Sequence, residues 1–174
     1  LFALIQKAKY FFEHKVKKQI KKILVPTDFS ELSFVALPYA ETFAEMFDAE
    51  IILLHVIDSD PTLAYRTVDL KSETVLRNFE INAEKELMRM RKERIASTCN
   101  VTEIVRRGNS HKEIVMYANE HSIDLIIVAT HGRTGLSHIL MGSVVEKVIR
   151  HSVVPVLTVK PSETQEPFME NENW

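Results

Sequence analysis

The chain has 174 residues, 45% hydrophobic and 26% charged, with a formal net charge of −2. That length supports one domain with a real core, and the weak net charge excludes a general attraction to nucleic acid. The single cysteine, Cys99, excludes an intrachain disulfide, and no apolar run approaches the ~20 residues needed to span a bilayer.

Charge is spread unevenly. Residues 1–22 hold seven lysines against one glutamate, and residues 162–174 hold four glutamates with no lysine or arginine. A basic head and an acidic tail predict ends that act separately from the body. Residues 1–20 carry Leu1, Ile5, Ala8, Phe12, Val16 and Ile20 on one side of an expected helix, with Lys7, Lys15, Lys17 and Lys18 adding positive charge. Such a helix either lies on an anionic membrane or, more often, docks on its own domain or on a partner. Leu1 to Ile5 run straight into lysines, the wrong order for a secretory signal. With one cysteine and no export signal, the expectation is a cytoplasmic protein.

Ile23 to Val25 read as a buried strand closed by Pro26. Leu32, Ala36, Ala40, Phe43 and Phe47 then form a helical stripe, and Pro38 within it predicts a kink or a late start. Ile51 to Ile57 form a second strand, and Pro61 opens a loop. Leu76, Phe79, Ala83, Leu87 and Met90 mark one face of a long charged helix. Val101 to Val105 form a third strand ended by Gly108. Ser110 to Glu113 read as a capping box, and Ile114, Tyr117, Ala118 and His121 continue that helix. Leu125 to Val128 form a fourth strand. A glycine-bearing loop leads to a helix marked by Val144, Val145, Val148 and Ile149, and Val153 to Val159 form a fifth strand.

Strands alternating with helices predict an α/β fold, a parallel sheet covered on both faces by right-handed crossovers. Three segments are expected: the basic helix over 1–20, one domain over 21–160, and an acidic, unstructured tail over 161–174.

The four glycines, Gly108, Gly132, Gly135 and Gly142, all follow predicted strands, and three of them lie within eleven residues. Open parallel sheets bind ligands beyond the carboxyl ends of their strands. Gly142 and Ser143 open the last helix, whose unpaired N–H groups suit a phosphate, with Arg133 able to add charge. Ser143 and the glycines could equally just cap a helix and make turns. No lysine precedes Ser143 and there is no G-x-G-x-x-G, so neither a P-loop nor the dinucleotide fingerprint is present. Pro26, Thr27 and Asp28 end the first strand. The Asp28 carboxylate there either accepts hydrogen bonds from a ribose, an adenine amine or metal-bound water, or closes a turn or caps a helix through Phe29 and Ser30.

The residues Lys22 to Asp28, then Leu53 to Val56, then Asp124 to Val159 resemble the universal stress proteins. The most specific stretch is Thr130-His131-Gly132-Arg133-Thr134-Gly135-Leu136 followed by Met141-Gly142-Ser143-Val144. The resemblance implies a Rossmann-like five-stranded sheet of order 3-2-1-4-5, with Asp28 and the glycine loop meeting at the switch point. It implies ATP as ligand, with Thr27, Asp28, Val56 and Val128 around the adenosine. Ser143 and Val144 would donate to phosphates, with Mg2+ bridging them. His131 would touch phosphate or cap the loop. ATP-binding members carry Gly, two residues, Gly, nine residues, then Gly-Ser or Gly-Thr. Gly132, Gly142 and Ser143 match, whereas the first glycine is Ala129 here.

The expected function is thus an ATP-binding stress-response or regulatory protein. The alternatives are a nucleotide-free dimeric module and a slow ATPase. No catalytic residue is placed by the sequence. The seven histidines, His14, His55, His111, His121, His131, His138 and His151, lack metal-ligand spacing, so no metal centre is expected. The apolar fifth strand, Val153 to Val159, falls at a sheet edge in the implied order and predicts a homodimer through that strand, or an edge covered within one chain.

Overall fold

The computed structural model describes residues 19–58, 73–130 and 141–160. Five strands, β1 (Lys22–Pro26), β2 (Glu50–Asp58), β3 (Val101–Gly108), β4 (Leu125–Ala129) and β5 (Val156–Val159), form one sheet of order β3-β2-β1-β4-β5. Every adjacent pair is parallel. The helices are α1 (Glu31–Phe34), α2 (Leu37–Phe47), α3 (Glu73–Arg94), α4 (Ser110–Glu120) and α5 (Ser143–His151).

The strands lack polar alternation because both faces are covered. Ile23, Val25, Ile51, Leu53, Leu125 and Ile127 point to one core, completed by Ala40 and Ala44 of α2 and Leu87 and Met90 of α3. Leu24, Ile52, Leu54, Ile126 and Val128 point to the other, completed by Ile114 and Tyr117 of α4 and Val145 and Val148 of α5. Each fully buried Leu or Ile contributes about 1.5–3 kcal/mol. The winding direction reverses between β1 and β4. Connections before β3 run over the first face, and those after it run over the second.

Pro38 acts as expected. A short α1 stops at Phe34, and α2 starts afresh with Pro38 in its first turn, where a missing N–H costs nothing. Four expectations need correcting. The cap of α4 is Asn109, whose side chain accepts from Lys112 N, while the Ser110 hydroxyl donates to Asp58 Oδ2 at 3.2 Å. A residue earlier, Gly108 ends β3 with φ +148°, a conformation that favours glycine. His121 lies past the end of α4 and exposed, as its cap. On α3, Ala83, Leu87 and Met90 are buried, but Phe79 is 46% exposed because it precedes the stretch that crosses the core. Finally, β5 begins at Val156, not Val153. The Ser152 hydroxyl donates to Val154 O and accepts from Val154 N, so a local turn takes up that backbone and leaves Val153 exposed.

Among the described residues no helix is long and apolar enough to cross a membrane. The expected basic helix lies outside the described residues except at its end, where Ile20 packs on the first core. The acidic tail lies outside them too.

Candidate functional site at the sheet's carboxyl edge

The two central strands pair only at their beginnings, Ile23 with Leu125 and Leu24 with Ile126. By contrast β1 stays paired with β2 up to Pro26, and β4 with β5 up to Ala129. The carboxyl ends of β1 and β4 therefore part, and Pro26 has no N–H with which to bridge them. The crevice forms at that point.

One wall is the tip of β1. Thr27 N donates to Leu54 O at 2.9 Å, extending the ladder by one bond. The Thr27 side chain turns inward. Its Oγ1 accepts from Phe29 N at 3.0 Å and lies 3.0 Å from Ser33 Oγ. Asp28 is half-buried, and its Oδ1 accepts from Ser30 N at 3.0 Å and from Ser30 Oγ at 2.6 Å. Ser30 in turn caps α1 by accepting from Ser33 N. The turn-and-cap reading of Asp28 is thus realised. It leaves ligand chemistry open, because a carboxylate offers about four acceptor sites. Phe29 takes φ +65°, a left-handed conformation uncommon for a bulky residue.

The other wall is the end of β4. Val128 is buried in the second core, and Ala129 is 3% exposed. Thr130 N donates to Val159 O, and Thr130 O accepts from Gly142 N, both at 2.8 Å. That second bond pins together the two ends of the glycine-bearing segment. His131, Gly132 and Arg133 lie within it, outside the described residues.

Gly142 is the N-cap of α5, with φ −67° and ψ 148° and no side-chain cap. Any residue can adopt those angles, and among the described residues a Cβ at Gly142 would meet only Thr130 O at 3.5 Å, an ordinary contact. The packing of the described residues therefore gives no reason for glycine there. The N–H groups of residues 143–145 have no acceptor within the helix and carry the positive end of its dipole. Ser143 and Val144 are exposed there. Val56, on β2, is half-buried against the second core.

Sequence reasoning missed the polar support of the β1 tip. His55 Nδ1 lies 2.8 Å from Thr27 O and its ring stacks on Phe29, with centroids 4.2 Å apart. Only the turn-forming Ser30 was legible. Cys99 lies elsewhere, buried beside α2, and burial first, then Glu41 and Glu45, pushes its thiol pKa up, the opposite of an activated cysteine. Among the described residues no group of three or more histidine, cysteine or acidic side chains is arranged to hold a metal ion.

A doubly wound parallel sheet, parted at its switch point, defines an α/β protein of the Rossmann-like class. Within that class the chain belongs to the universal stress protein family, whose model matches residues 19–160. Universal stress protein MJ0577 of Methanocaldococcus jannaschii is 38% identical over 153 residues, spanning 80% of this chain and 94% of its own. Its solved structure superposes with a TM-score of 0.74 at 37% identity, covering 84% of this chain and 99% of that one. UspA from Lactobacillus plantarum gives 0.69 at 27% identity, covering 82% and 99%. A universal stress protein solved in complex with cAMP gives 0.54 at 25% identity, covering 83% and 100%.

Proposed function

We propose that this chain binds an adenine nucleotide, ATP with Mg2+, in the crevice between β1 and β4, and serves as a cytoplasmic stress-response regulator whose bound nucleotide sets its conformation or partner. The observation that carries the reading is Gly142. A glycine caps a helix where serine or aspartate would stabilise more and where a Cβ would fit. Among the described residues nothing fills that space, and the N–H groups of the helix end beside it favour an anion. The relative bound to cAMP supports an adenine nucleotide as that ligand.

In this reading Asp28 accepts hydrogen bonds from the nucleoside, and the Thr27 backbone, Pro26, Val56 and Val128 shape its pocket. Ser143 and Val144 donate to the phosphates, and Mg2+ neutralises them. His131, Gly132 and Arg133 complete the phosphate end. Ala129, in place of the first motif glycine, is compatible with binding because the residue is buried. Its presence also favours a second reading, a nucleotide-free dimeric module of the same fold.

Melting the protein with and without ligand separates the two. ATP-Mg2+ at a hundredfold excess over its dissociation constant stabilises by ~2.7 kcal/mol, a rise of roughly 5–10 °C for this size of domain. No shift with millimolar ATP, ADP or AMP rejects the nucleotide reading in favour of the module. In either reading the edge strand β5, with Val156 and Leu157 half-buried, pairs with its copy in a homodimer. Light scattering then gives about twice the 20.0 kDa chain mass, and Val156→Lys shifts it toward monomer.

A further inference from the structure

The Phe29 backbone is the starting observation. A phenylalanine at φ +65° costs about 1–3 kcal/mol relative to an ordinary conformation. Such a residue persists only where its surroundings over-determine it. Three contacts do so. Its N–H donates to Thr27 Oγ1 at 3.0 Å, its ring packs against the first core, and its ring stacks on His55 at 4.2 Å with planes 27° apart.

His55 makes a second contact with the same turn. A carbonyl oxygen can only accept, so at 2.8 Å from Thr27 O the Nδ1 atom carries the proton and donates. His55 thus grips Thr27 by its backbone and Phe29 by its ring. The residue between them is Asp28. On its far side Asp28 is tied to Ser30 by two hydrogen bonds. Its main chain is therefore fixed on both flanks, from β2 through His55 and from α1 through Ser30.

We propose that His55 is a positioning residue for the nucleotide site, holding the Asp28 carboxylate at the crevice through Thr27 O and the Phe29 ring. The inference rests on the reading that Asp28 contacts the nucleoside. His55 itself touches no ligand. Its effect on affinity passes through Asp28, and a merely structural residue would lack that dependence. The neighbouring Val56 belongs to the nucleotide pocket in the proposed reading, so strand β2 supplies a pocket residue and the support for the β1 wall from adjacent positions.

The test is a double-mutant cycle on ATP-Mg2+ affinity by calorimetry, using the full chain. His55→Phe keeps a ring for Phe29 and removes the N–H donor. Its ATP affinity falls about threefold to tenfold, the loss of one hydrogen bond. His55→Asn restores an N–H near the position of Nδ1 and recovers most of that loss. In an Asp28→Ala background, His55→Phe has no further effect, because the group it positions is gone. Nitrogen NMR of the wild type shows the Nδ1–H tautomer. Equal affinity of His55→Phe and wild type, or losses that simply add in the double mutant, overturns the inference while leaving nucleotide binding intact. A wild type that binds no nucleotide overturns the proposed function, and this inference with it.

Discussion

The two walls of the crevice are built in opposite ways. At the tip of β1 nearly every polar group is engaged by the protein itself: Thr27 with Phe29, Ser33 and His55, and Asp28 with Ser30. At the end of β4 the Thr130 backbone links to Val159 and to Gly142, and α5 begins without a side-chain cap. The first wall is preorganised before any ligand arrives. The second ends in a helix N-terminus whose glycine the packing of the described residues does not require. In the proposed function, the rigid wall reads the nucleoside and the helix end takes the phosphates.

That contrast is most exposed to test at Gly142. Gly142→Val lowers ATP affinity at least roughly tenfold, or about 1.4 kcal/mol, because its side chain fills space meant for phosphate. The ligand-free protein melts within about 2–4 °C of wild type, since the angles suit valine and, among the described residues, Thr130 O is the nearest obstacle at 3.5 Å. A large fall in apo stability instead makes Gly142 a packing glycine and removes the main support for the site.

The opposite signature belongs to the first wall. Thr27→Val keeps the side-chain shape but deletes a buried hydroxyl and orphans Phe29 N, costing about 1–3 kcal/mol of stability. Chemical denaturation should show a lower midpoint with an unchanged slope. Nucleotide affinity falls less than with Gly142→Val. If affinity falls further than for Gly142→Val at saturating fold, the Thr27 hydroxyl contacts ligand directly and the division of labour is wrong.

Ala129→Gly is the smallest of these effects. ATP affinity stays equal or improves by up to about twofold, under half a kcal/mol. Stability drops by roughly 0.5–1 kcal/mol, as glycine inside a strand does. Titration and melting of the same variant check both. A marked loss of affinity shows that the Ala129 methyl, although buried, shapes the crevice.

Much of this architecture is written in local pattern. Runs such as Ile23–Val25 and Leu125–Val128, apolar without alternation, require a sheet buried on both sides, and the helical stripes between them require crossovers. The Gly142-Ser143 pair marked the helix start for the same local reason. The misreadings were local as well. Ser110 has the chemistry of a cap, yet Asn109 takes the position, and Val153 has strand propensity, yet a Ser152 turn keeps it out of the sheet. In each case neighbours offered competing hydrogen bonds that residue type alone does not rank.

The sequence by itself determined the fold class, the family and the segments that become the ends of β1 and β4, because periodicity and short-range chemistry specify elements and their order. Tertiary structure alone decided how those segments are held. The parting of β1 from β4 after Leu24 and Ile126, the left-handed Phe29, and the reach of His55 to Thr27 across 28 positions depend on which strands become neighbours. Contacts of that range are set by packing of the whole sheet, and no local stretch of sequence carries them.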